Sequence, residues 1–294
     1  MSLIPFDDRD GVIWFDGHFV PWRDAKIHVL THGLHYASCV FEGERVYGGT
    51  VFKLAEHDRR LQQSARLLGF ELPYPVEAID EATRQLVVRN GILDGYVRPV
   101  AWRGSEVMGV SAKQSRIHVA IATWQWPSYF SPEARMRGIR LGISKWQRPS
   151  PVSAPTASKA AGLYMICTLS KHAAEDEGYD DALMYDYRGL VAEATGANIF
   201  LVIDGQLHTP TPDCFLDGIT RQSVIALAKR RGIAVIERHI PPEDLALASE
   251  VFVTGSAAEV TPVGEIGPHN YQPGQISRQL MDDYAQLVRQ PPPA

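Results

Sequence analysis

The spacing of apolar and polar residues predicts two kinds of secondary structure in the first half of the chain. Short apolar runs on either side of Asp16-Gly17 and of Gly48-Gly49 predict two β-hairpins. The Asp-Gly pair of the first hairpin fits a type I′ turn. Apolar residues that recur three and four positions apart indicate amphipathic helices, each followed by a glycine stop. These helices are predicted over 55–68 and 76–90, and further strands over 96–102 and 116–126.

Short strands dominate the second half of the chain. Helices are predicted over 159–177 and 219–231, and strands over 139–146, 182–186, 189–192, 199–203, 251–254 and 259–263. A turn-rich stretch at 127–137 separates these elements from the first half. The pattern therefore predicts an α+β protein with two domains, 1–126 and 138–294, joined by a loop at 127–137.

Composition narrows the class of protein. The chain has 294 residues, of which 45% are apolar and 21% charged, the ordinary balance of a globular protein with a sizeable core. A net charge of -5 without a basic cluster argues against nucleic acid as a partner. No apolar run approaches the roughly 18 residues of a membrane helix, and the acidic start does not resemble a secretory signal. With three widely spaced cysteines, the chain is expected to be cytoplasmic with reduced thiols.

Two charged residues are candidates for chemistry. Lys159 lies among small residues, where a bulky cofactor can approach, and its amine can form a Schiff base if burial lowers its pKa. The plainer alternative, a surface lysine in the first turn of a helix, is the better expectation from this segment alone. Glu193 follows an apolar strand and can hold a protonated pyridine nitrogen. From this segment alone, a strand-end carboxylate that faces solvent is again the better expectation.

Two turns are candidates for anion binding. Gly218 allows a tight turn, and the amides of Ile219 and Thr220 open the helix that follows it, an arrangement that binds phosphate. An ordinary cap by Asp217 or Thr220 is an equal alternative. Around Ser256, a strand ends in small residues whose amide and hydroxyl groups can bind a phosphate or carboxylate, although a simple strand-to-strand turn is the better expectation from this segment alone.

Three histidines share a spacing that metal ligands use. His28, His32 and His35 lie at i, i+4 and i+7, which gathers them on one side if the segment is helical. Thr31 and Gly33 argue against a single helix, and no acidic residue shares the spacing. We expect these histidines to bond to the backbone, and we expect no catalytic metal.

Taken in order, these segments resemble the class IV (fold type IV) aminotransferases that use pyridoxal 5'-phosphate (PLP), and among them most closely the branched-chain amino acid aminotransferases. The resemblance runs nearly from end to end. It is carried by Val12-Ile-Trp-Phe-Asp-Gly17, His32-Gly-Leu-His-Tyr36, Val40-Phe41-Glu-Gly43, Glu56-His57 with Arg60, Tyr96-Val-Arg98-Pro99, Lys159, Glu193, Gly218-Ile219-Thr220 and Ser256-Ala257-Ala258.

The resemblance implies a fold type IV PLP enzyme, with a small α/β N-terminal domain and a larger, strand-rich pseudo-barrel C-terminal domain. It implies that Lys159 carries the cofactor and shuttles a proton between the substrate Cα and the cofactor C4′. Glu193 would pair with the pyridine nitrogen, and Tyr164 would hydrogen-bond the phenolic oxygen. The remaining implied cofactor contacts are Arg60, Gly218, Ile219, Thr220, Gly255 and Ser256.

The resemblance also implies the substrates, which are leucine, isoleucine and valine exchanged with 2-oxoglutarate. Arg98 is the candidate for the distal carboxylate of glutamate, with a structural salt bridge as the alternative. The other implied substrate contacts are Tyr36, Phe41, Tyr96, Val110, Trp126, Tyr129, Ala257 and Ala258. Tyr36 and the loop at 108–110 are expected to come from a neighbouring subunit, so the family implies a homodimer or a dimer-based hexamer.

Other activities remain open. A D-amino acid aminotransferase would carry a histidine two residues after Arg98, where this chain has Val100. Amine transaminases usually lack the arginine, and aminodeoxychorismate lyases lack the Tyr96 and Arg98 strand. A PLP-binding sensor without efficient catalysis is a further alternative. The chain departs from the usual family pattern at Glu44, Ala194, Thr195, Ala197 and Asp217, which leaves its substrate range open.

Overall fold

The computed structural model describes residues 4–126 and 132–290. The chain divides into two compact units, which we call unit 1 (Met1–Pro127 with Ser158–Gly162) and unit 2 (Ser128–Ala157 with Leu163–Ala294). The sequence pattern places 158–162 in the second domain, whereas in the structure this segment belongs to unit 1. It also predicts a loop over 127–137, but Pro132–Arg137 form a helix.

Unit 1 is built on an antiparallel sheet of seven strands in the order β2-β1-β7-β6-β4-β5, with β3 paired to β6. The strands are β1 (Val12–Phe15), β2 (His18–Pro21), β3 (Cys39–Phe41), β4 (Glu44–Tyr47), β5 (Thr50–Val51), β6 (Gly95–Arg103) and β7 (Ile117–Gln125). The helices are α1 (His32–Tyr36), α2 (Leu54–Leu67) and α3 (Val76–Arg89). Both predicted hairpins are confirmed, and Asp16 and Gly17 have the positive φ angles, 46° and 91°, that a type I′ turn requires.

Helices α2 and α3 bury their apolar faces in the core of unit 1. Leu61, Ile79 and Leu86 are fully buried there together with sheet residues such as Val97. The predicted helices over 55–68 and 76–90 match α2 and α3 to within one residue at each end. The helical spacing of apolar residues was sufficient in both cases, because one face of each helix packs on one sheet.

Unit 2 contains a closed barrel of strands. The strands are β8 (Ile139–Ile143), β9 (Asp181–Tyr185), β10 (Val191–Ala194), β11 (Asn198–Ile203), β12 (Gln206–Pro210), β13 (Val235–Arg238), β14 (Glu250–Gly255), β15 (Glu259–Ile266) and β16 (His269–Asn270). They follow the order β10-β9-β8-β15-β14-β11-β12-β13, with β16 on β15, and a pairing of β10 with β11 closes the ring. Fully buried branched side chains, including Leu141, Leu183, Ile199 and Val263, fill the core of this unit.

The helices of unit 2 are α4 (Pro132–Arg137), α5 (Met165–Asp176), α6 (Ile219–Arg230) and α7 (Gln275–Leu287). Short 3₁₀ helices cover Trp22–Asp24 in unit 1 and Ala161–Tyr164 and Pro242–Leu247 further along the chain. None of the helices in the described part of the chain combines the length and the apolar character needed to cross a bilayer.

The prediction of one helix over 159–177 is wrong at its start. The α-helix begins at Met165, and Lys159 lies before it, outside any helix, next to Ala160, which forms a β-bridge with Val40. The backbone N–H of Lys159 donates to the Ser64 hydroxyl at 3.0 Å, so it is engaged outside any helix. Lys159 is therefore not a residue of a helix first turn, and the alternative based on that placement is wrong.

Candidate active site

Lys159 is held by hydrogen bonds on both sides of its peptide segment. Its N–H donates to Ser64 Oγ at 3.0 Å, and its carbonyl accepts the N–H of Phe41 at 3.1 Å. The hydroxyl of Ser158 donates to the Ser64 carbonyl at 3.0 Å, so one buried serine of α2 fixes two consecutive residues. The Lys159 amine lies 5.0 Å from the centre of the Phe41 ring. No sequence pattern points to this role for Ser64.

Arg60 lies one turn before Ser64 on α2 and is held by a buried carboxylate. The two oxygens of Glu42 accept bonds from Arg60 Nε at 2.7 Å and from a terminal guanidinium nitrogen at 2.8 Å. His57 Nδ1 lies 2.7 Å from the same carboxylate. Burial alone would raise the pKa of Glu42, but Arg60 and His57 outweigh it and hold that pKa far below the usual carboxyl range. Glu42 is therefore ionised, and it fixes the direction in which the Arg60 fork points.

The pKa of His57 is lowered, chiefly by burial and in spite of the nearby Glu42 carboxylate. His57 is accordingly neutral near pH 7, and its Nδ1–H donates to Glu42. The group of Glu42, His57 and Arg60 thus has no net charge. Glu42 and His57 belong to motifs of the family resemblance, but only the structure shows that they hold Arg60.

Aromatic side chains surround Arg98 in unit 1. The Arg98 guanidinium lies 4.7 Å from the Phe41 ring centre and 5.4 Å from that of Tyr96. The rings of Tyr96 and Trp126 are 4.7 Å apart. Among the described residues, no carboxylate pairs with Arg98, and its Nε has no hydrogen-bond partner. The salt-bridge alternative for Arg98 is therefore wrong within that part of the chain.

Gly43 makes room for this aromatic group. A Cβ atom at Gly43 would lie 1.9 Å from the Tyr96 hydroxyl, so any larger residue would displace the tyrosine. The predicted contacts Phe41, Tyr96, Arg98 and Trp126 thus lie together in unit 1, whereas Tyr129 lies outside the described residues.

Tyr36 and Val110, which were expected to serve a neighbouring subunit, lie on neighbouring exposed segments of unit 1. The Tyr36 ring stacks on His32 at 4.5 Å, and His32 Nε2 bonds to the Gly109 carbonyl at 2.8 Å. His35 and His28 also bond to backbone groups nearby. The expectation of backbone-bonded histidines is confirmed.

Glu193 is buried in unit 2 beside an arginine that sequence reasoning missed. Glu193 Oε1 lies 3.2 Å from Arg148 Nε, and Arg148 also donates to the Leu163 carbonyl and the Cys167 sulfur, both at 3.3 Å. Burial lowers and Glu193 raises the pKa of Arg148, and the net effect is a raised pKa. Glu193 is not the solvent-facing carboxylate of the plainer alternative. Arg148 stands in a proline-rich stretch whose sequence carries no signal for such a role.

The turn at 216–220 leads directly into α6, which begins at Ile219. Within the described chain, no side chain caps this helix, since Asp217 bonds instead to Arg221 at 2.8 Å. The capping alternative is therefore wrong. Gly218 has an ordinary extended conformation, so glycine is not needed for a left-handed turn. It is needed because a Cβ atom there would lie 2.2 Å from Asn198 Oδ1.

The segment at 255–258 is the turn between β14 and β15, with Gly255 paired to Glu259. A Cβ atom at Gly255 would lie 3.1 Å from the Gly196 carbonyl, so this turn packs on the one that joins β10 to β11. Ser256 and Ala257 are half-buried, and Ala258 is buried. Tyr164 ends the 3₁₀ helix before α5 and is half-buried as well. Unit 2 therefore brings Glu193, the turn at 216–220 and the turn at 255–258 to the same end of its barrel strands.

Comparison with known proteins relates this arrangement to enzymes of one kind. Residues 39–266 match the family model described as "Amino-transferase class IV". The chain is 41% identical over 288 residues to the branched-chain-amino-acid aminotransferase of Pseudomonas aeruginosa, an alignment that covers 96% of this chain and 94% of the relative. It is 40% identical over 260 residues to that of Escherichia coli K12, covering 86% and 84%. The crystal structure of the branched-chain aminotransferase of the archaeon Thermoproteus uzoniensis with norvaline superposes with a TM-score of 0.91 at 35% identity, covering 95% of each chain.

Proposed function

The chain belongs to the class IV aminotransferases, and from this premise we propose that it is a PLP-dependent branched-chain amino acid aminotransferase. It would exchange an amino group between leucine, isoleucine or valine and 2-oxoglutarate. Relatives of that name match nearly the whole chain at about 40% identity. A structural neighbour carries N-(5'-phosphopyridoxyl)-L-glutamate, at a TM-score of 0.91. The observation that carries the proposal is the buried pair of Glu193 and Arg148.

That pair fits PLP for an electrostatic reason. PLP supplies an aldehyde that accepts the amino group and a protonated ring that withdraws electrons. A carboxylate that is buried beside an arginine stays ionised, because the guanidinium stabilises its charge. Glu193 would therefore keep a proton on the pyridine nitrogen. Arg60, Ile219, Thr220, Gly255 and Ser256 would hold the phosphate with guanidinium, amide and hydroxyl donors, with Gly218 allowing the backbone to approach.

Lys159 would carry the cofactor and move the reacting proton. Its backbone is fixed at both ends by bonds to Ser64 and Phe41, so the motion of the amine is confined to the side chain. The amine would take the proton from the substrate Cα and deliver it to the cofactor C4′. Tyr164 would donate a hydrogen bond to the phenolic oxygen.

The aromatic group around Arg98 would account for a dual substrate range. The rings of Phe41, Tyr96 and Trp126 offer an apolar surface to a branched side chain. Arg98, which has no carboxylate partner in the described chain, would bind the distal carboxylate of glutamate. The substrate α-carboxylate would be bound by Tyr96, Ala257 and Ala258. The position of Arg98 and the absence of a histidine at Val100 favour this function over D-amino acid or amine transamination and over lyase activity.

We further propose that the enzyme is a cytoplasmic homodimer or an assembly of such dimers. Leu34 and Val110 are 62% and 87% exposed, and they belong to adjoining segments linked by His32 and Gly109. Exposed apolar side chains on adjoining segments are typical of a subunit interface. The three cysteines are free thiols, which supports a reducing compartment.

The proposed function is tested with the purified, PLP-loaded protein. Leucine, isoleucine and valine should each convert 2-oxoglutarate to glutamate and should bleach the visible band of the lysine-bound cofactor. Lys159→Ala should abolish turnover while PLP still binds through its phosphate. No turnover with any of the three amino acids would overturn the substrate assignment. A visible band that does not respond to any amino acid would favour the sensor alternative.

A further inference from the structure

Asn198 lies between two parts of the proposed cofactor site in unit 2. It is the first residue of β11 and is paired across the sheet with Glu193 of β10. The turn between them is tight, with the N–H of Ala194 bonded to the carbonyl of Ala197 at 2.8 Å. This register places the Asn198 side chain beside the Glu193 side chain, because directly paired residues point to the same face of a sheet. Asn198 is 4% exposed.

The amide nitrogen of Asn198 reaches two acceptors. Nδ2 lies 3.3 Å from Glu193 Oε2 and 3.0 Å from the carbonyl of Leu216, which opens the turn before α6. A carboxylate and a carbonyl both accept, so this end of the side chain must be the NH₂ group, with one hydrogen for each. The other end, Oδ1, faces the Cα of Gly218, where a Cβ atom would lie 2.2 Å away. One buried amide therefore bonds the carboxylate on one side and packs on the phosphate-binding turn on the other.

We propose that Asn198 is a positioning residue that fixes the Glu193 carboxylate relative to the turn at 216–220, so that the contacts to the ring nitrogen and the phosphate of PLP are set together. This inference rests on the proposed function. Arg148 and Asn198 contact different oxygens of Glu193 and act on it in different ways. Arg148, beside Oε1, places a positive charge next to Glu193, and Asn198, at Oε2, sets the direction of the carboxylate without adding charge.

The chemistry of this position admits few other residues. An aspartate would place a second carboxylate beside Glu193 and would remove both donated bonds, so the pKa of Glu193 would rise. An alanine would remove one hydrogen-bond donor from the buried Glu193 carboxylate and one from the carbonyl of the half-buried Leu216. Asn198→Ala is therefore expected to weaken PLP binding about tenfold, the usual effect of losing one hydrogen bond to a charged group. Asn198→Asp should have a larger effect.

The test uses the full-length holoenzyme and two readouts besides activity. The phosphorus-31 resonance of bound PLP reports the phosphate, and the pH titration of its visible band reports the ring. We expect Asn198→Ala to shift both, together with the roughly tenfold loss of PLP affinity. Thr195→Ala is the matched control, since Thr195 lies in the same turn but donates to Asp181, away from Glu193. Thr195→Ala should leave both readouts unchanged.

A double-mutant cycle tests the packing contact. Gly218→Ala alone should disturb PLP binding, because its Cβ atom collides with Asn198 Oδ1. In the Asn198→Ala background the next neighbour is Arg221 Cβ, at 3.6 Å from the new Cβ atom, so the same change should be tolerated. An equal effect of Gly218→Ala in both backgrounds would overturn the inference.

The outcomes separate this inference from the proposed function. If the wild-type protein binds no PLP, the proposed function fails before any variant is compared. If the wild type binds PLP and Lys159→Ala abolishes turnover, but Asn198→Ala keeps the affinity, the phosphorus resonance and the visible titration, the positioning role alone is refuted. Should Asn198→Ala be too unstable to purify, Asn198→Ser keeps one short donor that cannot reach both acceptors. The same shifts are expected of it, and their absence would refute the role equally.

Discussion

Three carboxyl groups lie close together in the interior of unit 1. Glu44 projects from β4, Asp58 from α2 and Asp80 from α3, and all three are buried. In the described chain, no hydrogen-bond donor reaches either oxygen of Glu44, whereas Arg84, which is largely exposed, lies 3.3 Å from Asp80. Both oxygens of Asp58 and Oδ1 of Asp80 are also without a hydrogen-bond partner in the described chain. A buried carboxylate without a donor is costly, so such a group favours its neutral, protonated form.

The protonation of this cluster makes stability depend on pH. Burial, and then the neighbouring Glu44 and Asp80, raise the pKa of Asp58 to about 11. Burial, followed by Glu42 and Asp80, likewise raises the pKa of Glu44 well above its usual value. In the unfolded chain both groups ionise at about pH 4. Between these limits the two groups hold more protons in the folded protein than in the unfolded chain, so the stability that they contribute falls as the pH rises above about 4.

The substitution Asp58→Asn removes one of the two groups that keep a proton in the folded protein. Each extra proton held by the folded state changes the unfolding free energy by about 1.4 kcal/mol per pH unit. Asp58 holds its proton throughout pH 6 to 9, so its titration accounts for about 4 kcal/mol of lost stability over that window. At pH 6 the substitution replaces a neutral acid with a neutral amide of the same shape and should change little. Between pH 6 and 9 the variant should lose about 4 kcal/mol less than the wild type.

Urea unfolding followed by tryptophan fluorescence measures this difference. Five of the six tryptophans belong to unit 1, and only Trp146 belongs to unit 2, so the signal reports the unit that contains the cluster. Glu77→Gln is the control, since Glu77 is an exposed carboxylate on the same helix as Asp80. It should leave the pH dependence as it is in the wild type. If Asp58→Asn shows the same decline with pH as the wild type, the buried proton on Asp58 is refuted.

Three further predictions concern the active site and the assembly. Ser64→Ala removes the acceptor of the Lys159 N–H and should lower kcat about tenfold with little change in KM; an unaltered kcat would contradict the clamping role. Glu193→Gln cannot keep the ring nitrogen protonated and should reduce kcat much more than PLP affinity, and a normal steady-state rate would count against the pairing. Leu34→Glu should shift sedimentation toward the monomer, whereas Leu67→Glu, at an exposed site on α2, should not; a Leu34→Glu protein that sediments like the wild type would rule out this interface.

The elements that the sequence predicted well are those whose structure is decided locally. The Asp16-Gly17 hairpin follows from two residues that tolerate positive φ angles, and α2 and α3 follow from a periodic apolar face. The start of α5 was misplaced because the Lys159 N–H bonds to Ser64, 95 residues earlier in the chain. No window of neighbouring residues contains that partner. Strands β12 and β13 and helix α7 were missed as well, although the buried residues of α7, Ser277, Leu280 and Tyr284, recur three and four positions apart.

The residues of the candidate site also differ in whether the sequence alone could predict them. The family resemblance identified Lys159 and Glu193, because each sits in a recognisable motif. Arg148 and Asn198 act through side-chain contacts whose partners are set by the closure of the barrel, so neither showed in the pattern. Glu44 was visible as a departure from the family, but its meaning depends on Asp58, which lies in a different element. Sequence reasoning reached the groups proposed to contact the cofactor and stopped at the residues that hold them.

The barrel of unit 2 is closed by a short pairing between β10 and β11. Strands β10 and β11 pair through Glu193 and Asn198, whereas β14 and β11 pair along five consecutive residues. We expect the barrel to open first between β10 and β11, because the fewest backbone hydrogen bonds must break there. A ligand that binds the side chains of this pairing should therefore slow the opening of the barrel. Because the carboxylate proposed to bind the cofactor belongs to this pairing, we expect bound PLP to stabilise the closed barrel as well as to serve the reaction.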